Sequence, residues 1–381
     1  MGRHRKRQRR HPRRVSRRIA LVSAGLLVPL TGGAVVFAAT QDPGLPAGRL
    51  TGSHDRSVHK ATIEDGSAIR PQAGESTPSS SPAPRNAGAS SPPPAAPGPH
   101  IGFAPYADVL AWPPLNLSKT EARVKDFTMG FVSAGGGCSA AWGGMSPVDA
   151  AFAVHRIKDV PGKVIVSFGG PHGVELAKSC DTVDDLVKQY RKALDATDPA
   201  GLDFYLTDGA LADTASVQRR TEALARIQRD DGGRSLSITL PLHRSGLSAQ
   251  ALAALRSAAD GGVQVSIVNL VPADGAGQSV TASATTAHGQ LQHLYRQGDV
   301  WQRMGLTPII GVAGVGAQFR PTDADQVMTW ATAHRLGRLS MWSVTRDTPC
   351  TDDTSVTSDT CSGLDEDAGV FSKIFEAFQG L

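Results

Sequence analysis

Residues 100–381 predict an α/β fold, a (β/α)8 TIM barrel. Three observations predict it. Strand-like and helix-like segments alternate eight times. Many of the strand segments are continuous apolar runs rich in Val and Ile, as strands buried on both faces are. Residues able to do chemistry gather at the ends of those runs, where a barrel keeps its active site. A doubly wound open sheet is the other arrangement that this alternation allows.

The strand segments, in order, are IGFAPYADV (101–109), DFTMGFVSAG (126–135), KVIVSFGG (163–170) and LDFYLTDG (202–209). SLSITLPL (235–242), VQVSIVNLV (263–271), TPIIGVAG (307–314) and RLSMWSVT (338–345) follow. Helical patterns separate them. SPVDAAFAVHRI begins at Ser146 with Asp149 three residues on, and TVDDLVKQYRKAL begins at Thr182 with Asp185 in the same relation. Both resemble capping boxes with Asp in place of Glu. SVQRRTEALARIQ, SAQALAALRSAA, TTAHGQLQHLYRQGDVWQRM, TDADQVMTWATAHRL and DAGVFSKIFEAFQ supply the later helices. LNLSKTEARV, after the first strand, has the weakest helical pattern.

The first forty residues have another character. Met1–Arg18 holds ten Lys and Arg, no acid occurs before Gln41, and Ile19–Ala39 is apolar. That order describes residues 1–40 as a secretory signal peptide or an N-terminal membrane anchor. Cleavage after Ala38 or Ala39 suits the small-residue rule. SRRIAL (16–21) partly resembles a twin-arginine signal but lacks the usual Phe and Lys, so the export route stays open. Residues 41–99 are rich in Pro, Ser, Ala and Gly and have no aromatic residue, the composition of a disordered linker. Extended at ~3.1 Å per residue, it reaches on the order of 180 Å. The expected location is secreted or anchored at the cell surface, with membrane contact only through residues 19–39 if uncleaved.

Setting those ten basic residues aside leaves 29 Lys and Arg against 35 Asp and Glu. The remainder is acidic, and a nucleic-acid partner loses its electrostatic support. The four cysteines, Cys138, Cys180, Cys350 and Cys361, fit no zinc spacing, and no metal or cofactor is expected. An even count in an exported chain argues for disulfides, and three pairings are possible. Cys138–Cys180 with Cys350–Cys361 is favoured, because the second pair closes a short polar loop.

SFGG (167–170) closes the third strand and GLDFYLTDGALAD (201–213) closes the fourth. IVNLVPADGAG closes the sixth and MWSVTRD the eighth. In this order on a barrel they resemble glycoside hydrolase family 18, the chitinase-like family. PYADV, GGGCSAAWGG, SFGGPHGVELAKSC and GLTPIIGV resemble its secreted bacterial chitinase subgroup. The resemblance covers nearly all of residues 100–381. It implies an Asp-x-x-Asp-x-Asp-x-Glu motif on the fourth strand, with the Glu as general acid and the substrate's own acetamido group as nucleophile. Carboxylates would then stand at 203, 205 and 207. Asp203 matches, but Tyr205 occupies the assisting Asp position and Thr207 that of the acid. A threonine hydroxyl is too weak an acid to protonate a leaving oxygen near neutral pH.

Asp208 is the alternative acid. Alternation puts Asp203, Tyr205 and Thr207 on one face, so Asp208 is expected to point toward the helix layer unless a bulge turns it. On the sixth strand the resemblance implies a tyrosine beside an aspartate that holds the acetamido group. Asp274 is present, but Ala273 and Gly275 flank it. Trp342 matches the tryptophan that floors the family's sugar site, and Ser167 and Asp203 match residues that support the acid. Tyr106 and Trp142 are expected near the rim, able to stack on sugar faces. His172 and His243 lie near strand ends without a partner pattern, and GVAGVG (311–316) reads as a glycine-rich loop.

These readings converge on an exported, catalytically impaired chitinase-like protein, a monomer, that binds chitin or another N-acetylglucosamine-containing glycan. Two alternatives stand beside it. One is an active chitinase or endo-N-acetylglucosaminidase using Asp208. The other is a cell-surface scaffold for protein contacts.

Overall fold

The computed structural model describes residues 101–380 except 113, 115–116, 118–122, 273–275, 314–316 and 352–357. The signal or anchor segment, the linker, most of LNLSKTEARV and Asp274 lie outside the described residues.

The strands are β1 (Tyr106–Asp108), β2 (Phe127–Ala134), β3 (Ala140–Trp142), β4 (Ser146–Pro147), β5 (Val164–Gly169) and β6 (Gly201–Tyr205). β7 (Ser235–Leu242), β8 (Ile267–Pro272), β9 (Met304–Leu306), β10 (Gly311–Ala313), β11 (Ala317–Phe319) and β12 (Arg338–Leu339) follow. Pairing runs β12-β9-β8-β7-β6-β5-β2, with β1 on the other side of β2, and every one of these pairs is parallel. The cylinder closes where Phe103 bridges Leu339, with Ala104 N donating to Leu339 O at 3.2 Å and Tyr106 N to Met341 O at 3.0 Å. The barrel expected from the sequence is therefore present. Two antiparallel additions decorate it: β3–β4 beside β2, and the β10–β11 hairpin.

The helices are α1 (Ala151–Lys158), α2 (Leu176–Ser179), α3 (Val183–Thr197), α4 (Asp208–Leu211) and α5 (Thr214–Asp231). α6 (Ala249–Asp260), α7 (Gly277–Leu294), α8 (Pro321–Ala333) and α9 (Val370–Phe375) complete them. Thr182 caps α3 as expected, its side chain accepting from Asp185 N at 3.1 Å. Ser146 does not start a helix: it lies in β4, and α1 begins after Ala150 with no side-chain cap.

The seventh barrel strand also differs from expectation. It is the short MGL of β9, because the helix before it ends at Leu294 rather than running to Met304. The apolar run IIGVA continues past the barrel instead, and Gly311, at φ 78°, begins the β10–β11 hairpin. Both disulfides form as expected. Cys138–Cys180 has a Cα separation of 4.5 Å and Cys350–Cys361 one of 5.1 Å.

The core lies between the barrel wall and the helices. Phe168 of β5 stacks on Phe204 of β6 at 5.0 Å, and Tyr190 of α3 meets Phe168 edge-on at 5.1 Å. These phenylalanines face the helix layer. Their neighbours Ser167 and Asp203 therefore face the barrel axis.

Candidate functional site

The polar layer of the site is built from inward residues of β1, β5, β6, β7 and β8. Ser167, Asp203 and Ser237 stand in register across β5, β6 and β7. Asp203 is buried, and its carboxylate accepts four hydrogen bonds. Ser237 Oγ and Thr239 Oγ1 donate to Oδ1, both at 2.7 Å. Ser167 Oγ (2.6 Å) and Tyr106 Oη (2.9 Å) donate to Oδ2. Asn269 of β8 extends the network, donating to Thr239 Oγ1 at 3.0 Å and accepting from Thr307 at 3.0 Å. Below this layer Arg338, also buried, donates to Ser237 Oγ at 3.1 Å. Burial lowers the Arg338 pKa, and the negative charge of Asp203 opposes that shift.

One rung higher the character changes from polar to aromatic. Tyr205 follows Asp203 on the inward face of β6. Its phenol is pushed up to about 12 by burial and by the Asp203 charge. Phe131 approaches Tyr205 at 5.5 Å and Trp342 at 5.5 Å, the latter with rings 17° from parallel. Tyr106 lies 5.6 Å from Trp342 and 5.8 Å from Phe131. Phe131 is aimed here by a bulge in β2, where the register against β5 shifts between Met129 and Val132. The ring leaves no room for a side chain opposite: a Cβ on Gly170 would sit 2.4 Å from it.

β6 ends at Tyr205, and Thr207 is the half-buried residue preceding α4. Asp208 opens α4 with its side chain 66% exposed, and its Oδ1 lies 3.9 Å from His243 Nε2. Across the mouth, at the end of β1, the Asp108 carboxyl is raised, mainly by burial, with the Asp359 charge adding to it. Among the described residues no three His, Cys, Asp or Glu side chains come together as metal ligands.

No protein-family model matches the chain. A probable bifunctional chitinase/lysozyme of Escherichia coli K12 is 30% identical to it over 277 residues, 65% of this chain and 31% of that protein. Endochitinase 11 of Metarhizium anisopliae is 30% identical over 276 residues, 65% of this chain and 52% of that protein. The chain thus spans about half or less of these curated relatives. The catalytic domain of a hyperthermophilic chitinase from Pyrococcus furiosus superposes with a TM-score of 0.66 at 29% identity, covering 75% of this chain and 97% of that one. The chain is chitinase-like in sequence and fold. A further Pyrococcus furiosus structure, catalytic-site mutants of active domain 2 complexed with chito-oligosaccharides, matches with a TM-score of 0.65 at 29% identity, over 74% of this chain and 95% of that one.

In this chitinase-like barrel the residues singled out from sequence fall into three groups. Asp203, Ser167, Tyr205 and Trp342 come together as expected at the inner face and mouth. Tyr106 joins them, but from a strand rather than the rim, buried and with its hydroxyl engaged by Asp203. Burial and the Asp203 charge raise the Tyr106 pKa well above the usual phenol value.

Trp142 does not join them. It is fully buried in β3, and its Nε1 donates to Val148 O at 3.1 Å, so it packs and cannot stack on a ligand. Asp208 departs from expectation too. It is exposed at the strand ends, because α4 starts there and strand alternation no longer sets its direction. His172 is exposed, whereas His243 has the carboxylate neighbour that its sequence context did not reveal. Phe131 was not foreseen; the only local signal is the preceding Gly130 in an otherwise bulky strand.

Chemically, the inner face offers hydroxyls around one saturated carboxylate, topped by a half-buried aromatic cluster. Neither Tyr205 nor Thr207 supplies a carboxyl group.

Proposed function

We propose that this is an exported chitinase-like barrel that binds N-acetylglucosamine-containing glycans and hydrolyses them poorly. One observation carries the reading. Asp203 accepts four internal hydrogen bonds, while Tyr205 above it on β6 and Thr207 just past the strand end carry no carboxyl group. By the resemblance these two would be the assisting Asp and the acid. A carboxylate so occupied has no free lone pair aimed at a bound sugar, and the loss of a general acid costs roughly 10²–10⁴-fold. Binding is supported by the Trp342–Phe131–Tyr205 cluster, since sugar faces stack on aromatic rings, and by the chito-oligosaccharide complex of the Pyrococcus relative.

Calorimetric titration with chitotetraose tests it, using wild type and Trp342→Ala. Micromolar to millimolar binding is expected, weakened about tenfold in the variant, equivalent to ~1.4 kcal/mol. No binding by the wild type, or equal affinity of both proteins, overturns the reading in favour of the cell-surface scaffold.

A further inference from the structure

The Asp208–His243 contact is not used by the reading above. It stands at the carboxyl ends of adjacent parallel strands, where barrel enzymes place their chemistry. His243 directly follows β7 and stays extended, bridging Gly246 across a tight turn. Ser237 and Thr239 of β7 both bond Asp203, so the inward row of that strand is odd-numbered. The two-residue period carries this row through Pro241 to His243. His243 continues this inward row just past the end of β7, and its side chain is 40% exposed. Asp208 Oδ1 faces its Nε2 at 3.9 Å. Acid–base pairs are often this loose without substrate and tighten when one binds.

We propose that His243 is a proton donor at the barrel mouth, with Asp208 as the positioning residue that holds its ring. This rests on the glycan-binding reading and supplies a slow hydrolytic route that needs no carboxyl group at 205 or 207. The protonated imidazole gives its Nδ1 proton to the glycosidic oxygen as the bond from that oxygen to the anomeric carbon breaks. The bonding pair leaves on the oxygen, which departs as a hydroxyl. Water adds to the anomeric carbon, and its surplus proton returns to His243. One water is consumed and two shorter sugars form. A carboxylate beside the second ring nitrogen fixes the tautomer and stabilises the imidazolium, the role it has in other His–Asp pairs. The other charged groups nearby are Lys178, whose Nζ donates to Gly209 O at 3.2 Å, and Arg244, next in the turn.

The test measures chitotetraose cleavage by mass spectrometry across the pH range, with binding followed calorimetrically on the same samples. Slow cleavage is expected, because a ring that carries its proton can give it to the leaving oxygen. His243→Gln should lower it by about 100-fold or more while binding stays within about threefold of wild type. Asp208→Asn removes the carboxylate that holds the ring and should lower cleavage about tenfold with binding unchanged, and the conservative Asp208→Glu should restore most of it. Binding without cleavage, or cleavage that His243→Gln leaves intact, overturns the proton-donor role and leaves the binding reading standing. Absence of binding overturns the glycan reading itself.

Discussion

Asp203→Asn is the sharpest test of how this barrel is held together. The carboxylate accepts four hydrogen bonds from Tyr106, Ser167, Ser237 and Thr239, at 2.6–2.9 Å. Asparagine keeps the shape but replaces one accepting oxygen with a donor group. Two of the four hydroxyls then face a donor. One can rotate to accept instead, and the other is left without an acceptor. An orphaned buried donor costs about 1–3 kcal/mol, and hydrogen bonds to a charged group are worth about 1.5–3 kcal/mol each. Arg338 adds a second effect, because its buried guanidinium loses the negative charge that offsets its desolvation. The sum is about 3–5 kcal/mol, or roughly 10 °C in melting temperature for a domain of this size. Urea unfolding followed by circular dichroism measures it, with Ser167→Ala as a milder comparison expected to lose about 1–2 kcal/mol. Asp203→Asn unfolding within about 0.5 kcal/mol of wild type would refute the idea that this carboxylate is a structural knot.

Three further outcomes are expected. All four tyrosines should resist ionisation in the folded protein: burial raises Tyr106 and Tyr190 well above the usual value, and Tyr205 and Tyr295 to about 12. Their contribution to stability is intact below about pH 10 and declines as pH climbs toward 12, because the unfolded chain ionises first; phenolate absorbance appearing near pH 10 while circular dichroism remains native would contradict this. The Cys138→Ser, Cys180→Ser double variant should lose about 2–4 kcal/mol, since this disulfide spans a sequence separation of 42 residues; unchanged urea unfolding counts against it. Thr207→Glu alone should add little chitotetraose cleavage, because Tyr205 crowds the site beside Phe131 at 5.5 Å, and adding Tyr205→Asp should do better; a single Thr207→Glu variant as active as the double would show that Tyr205 is no obstacle.

Much of the fold was legible because its signals are local. Continuous apolar strands announced burial on both faces, and Thr182 with Asp185 announced the start of α3. The inward direction of Asp203 followed from alternation alone, since Phe204 beside it had to face the helices. What escaped was decided by non-local contacts. β9 is three residues long, too short for a pattern, and exists because β8 and β12 pair with it on either side. Phe131 reaches the mouth through a register shift that only the neighbouring strand makes visible. Trp142 looked like a rim aromatic until β3 paired back on β2 and took the indole into the core. The Asp208–His243 contact joins two strand ends separated in sequence by α4 and α5, which no spacing rule connects.

The depth of each residue in the barrel separates what the fold needs from what chemistry would need. Asp203, Ser167, Ser237, Thr239 and Tyr106 form one bonded layer, buried and closed, so altering any of them leaves a polar group without its partner. Stability therefore holds that layer in place whether or not the barrel turns over substrate. Tyr205 lies one inward position higher on β6 and Thr207 just past the strand end, both half-buried, and neither side chain hydrogen-bonds to the layer beneath. A carboxyl group could be absent from either without disturbing the wall below. Tyr205 can even add to it, since its ring packs against Phe131 and Tyr106. The hydroxyls around Asp203 need no acid above them to be kept, because they also hold the strands in register.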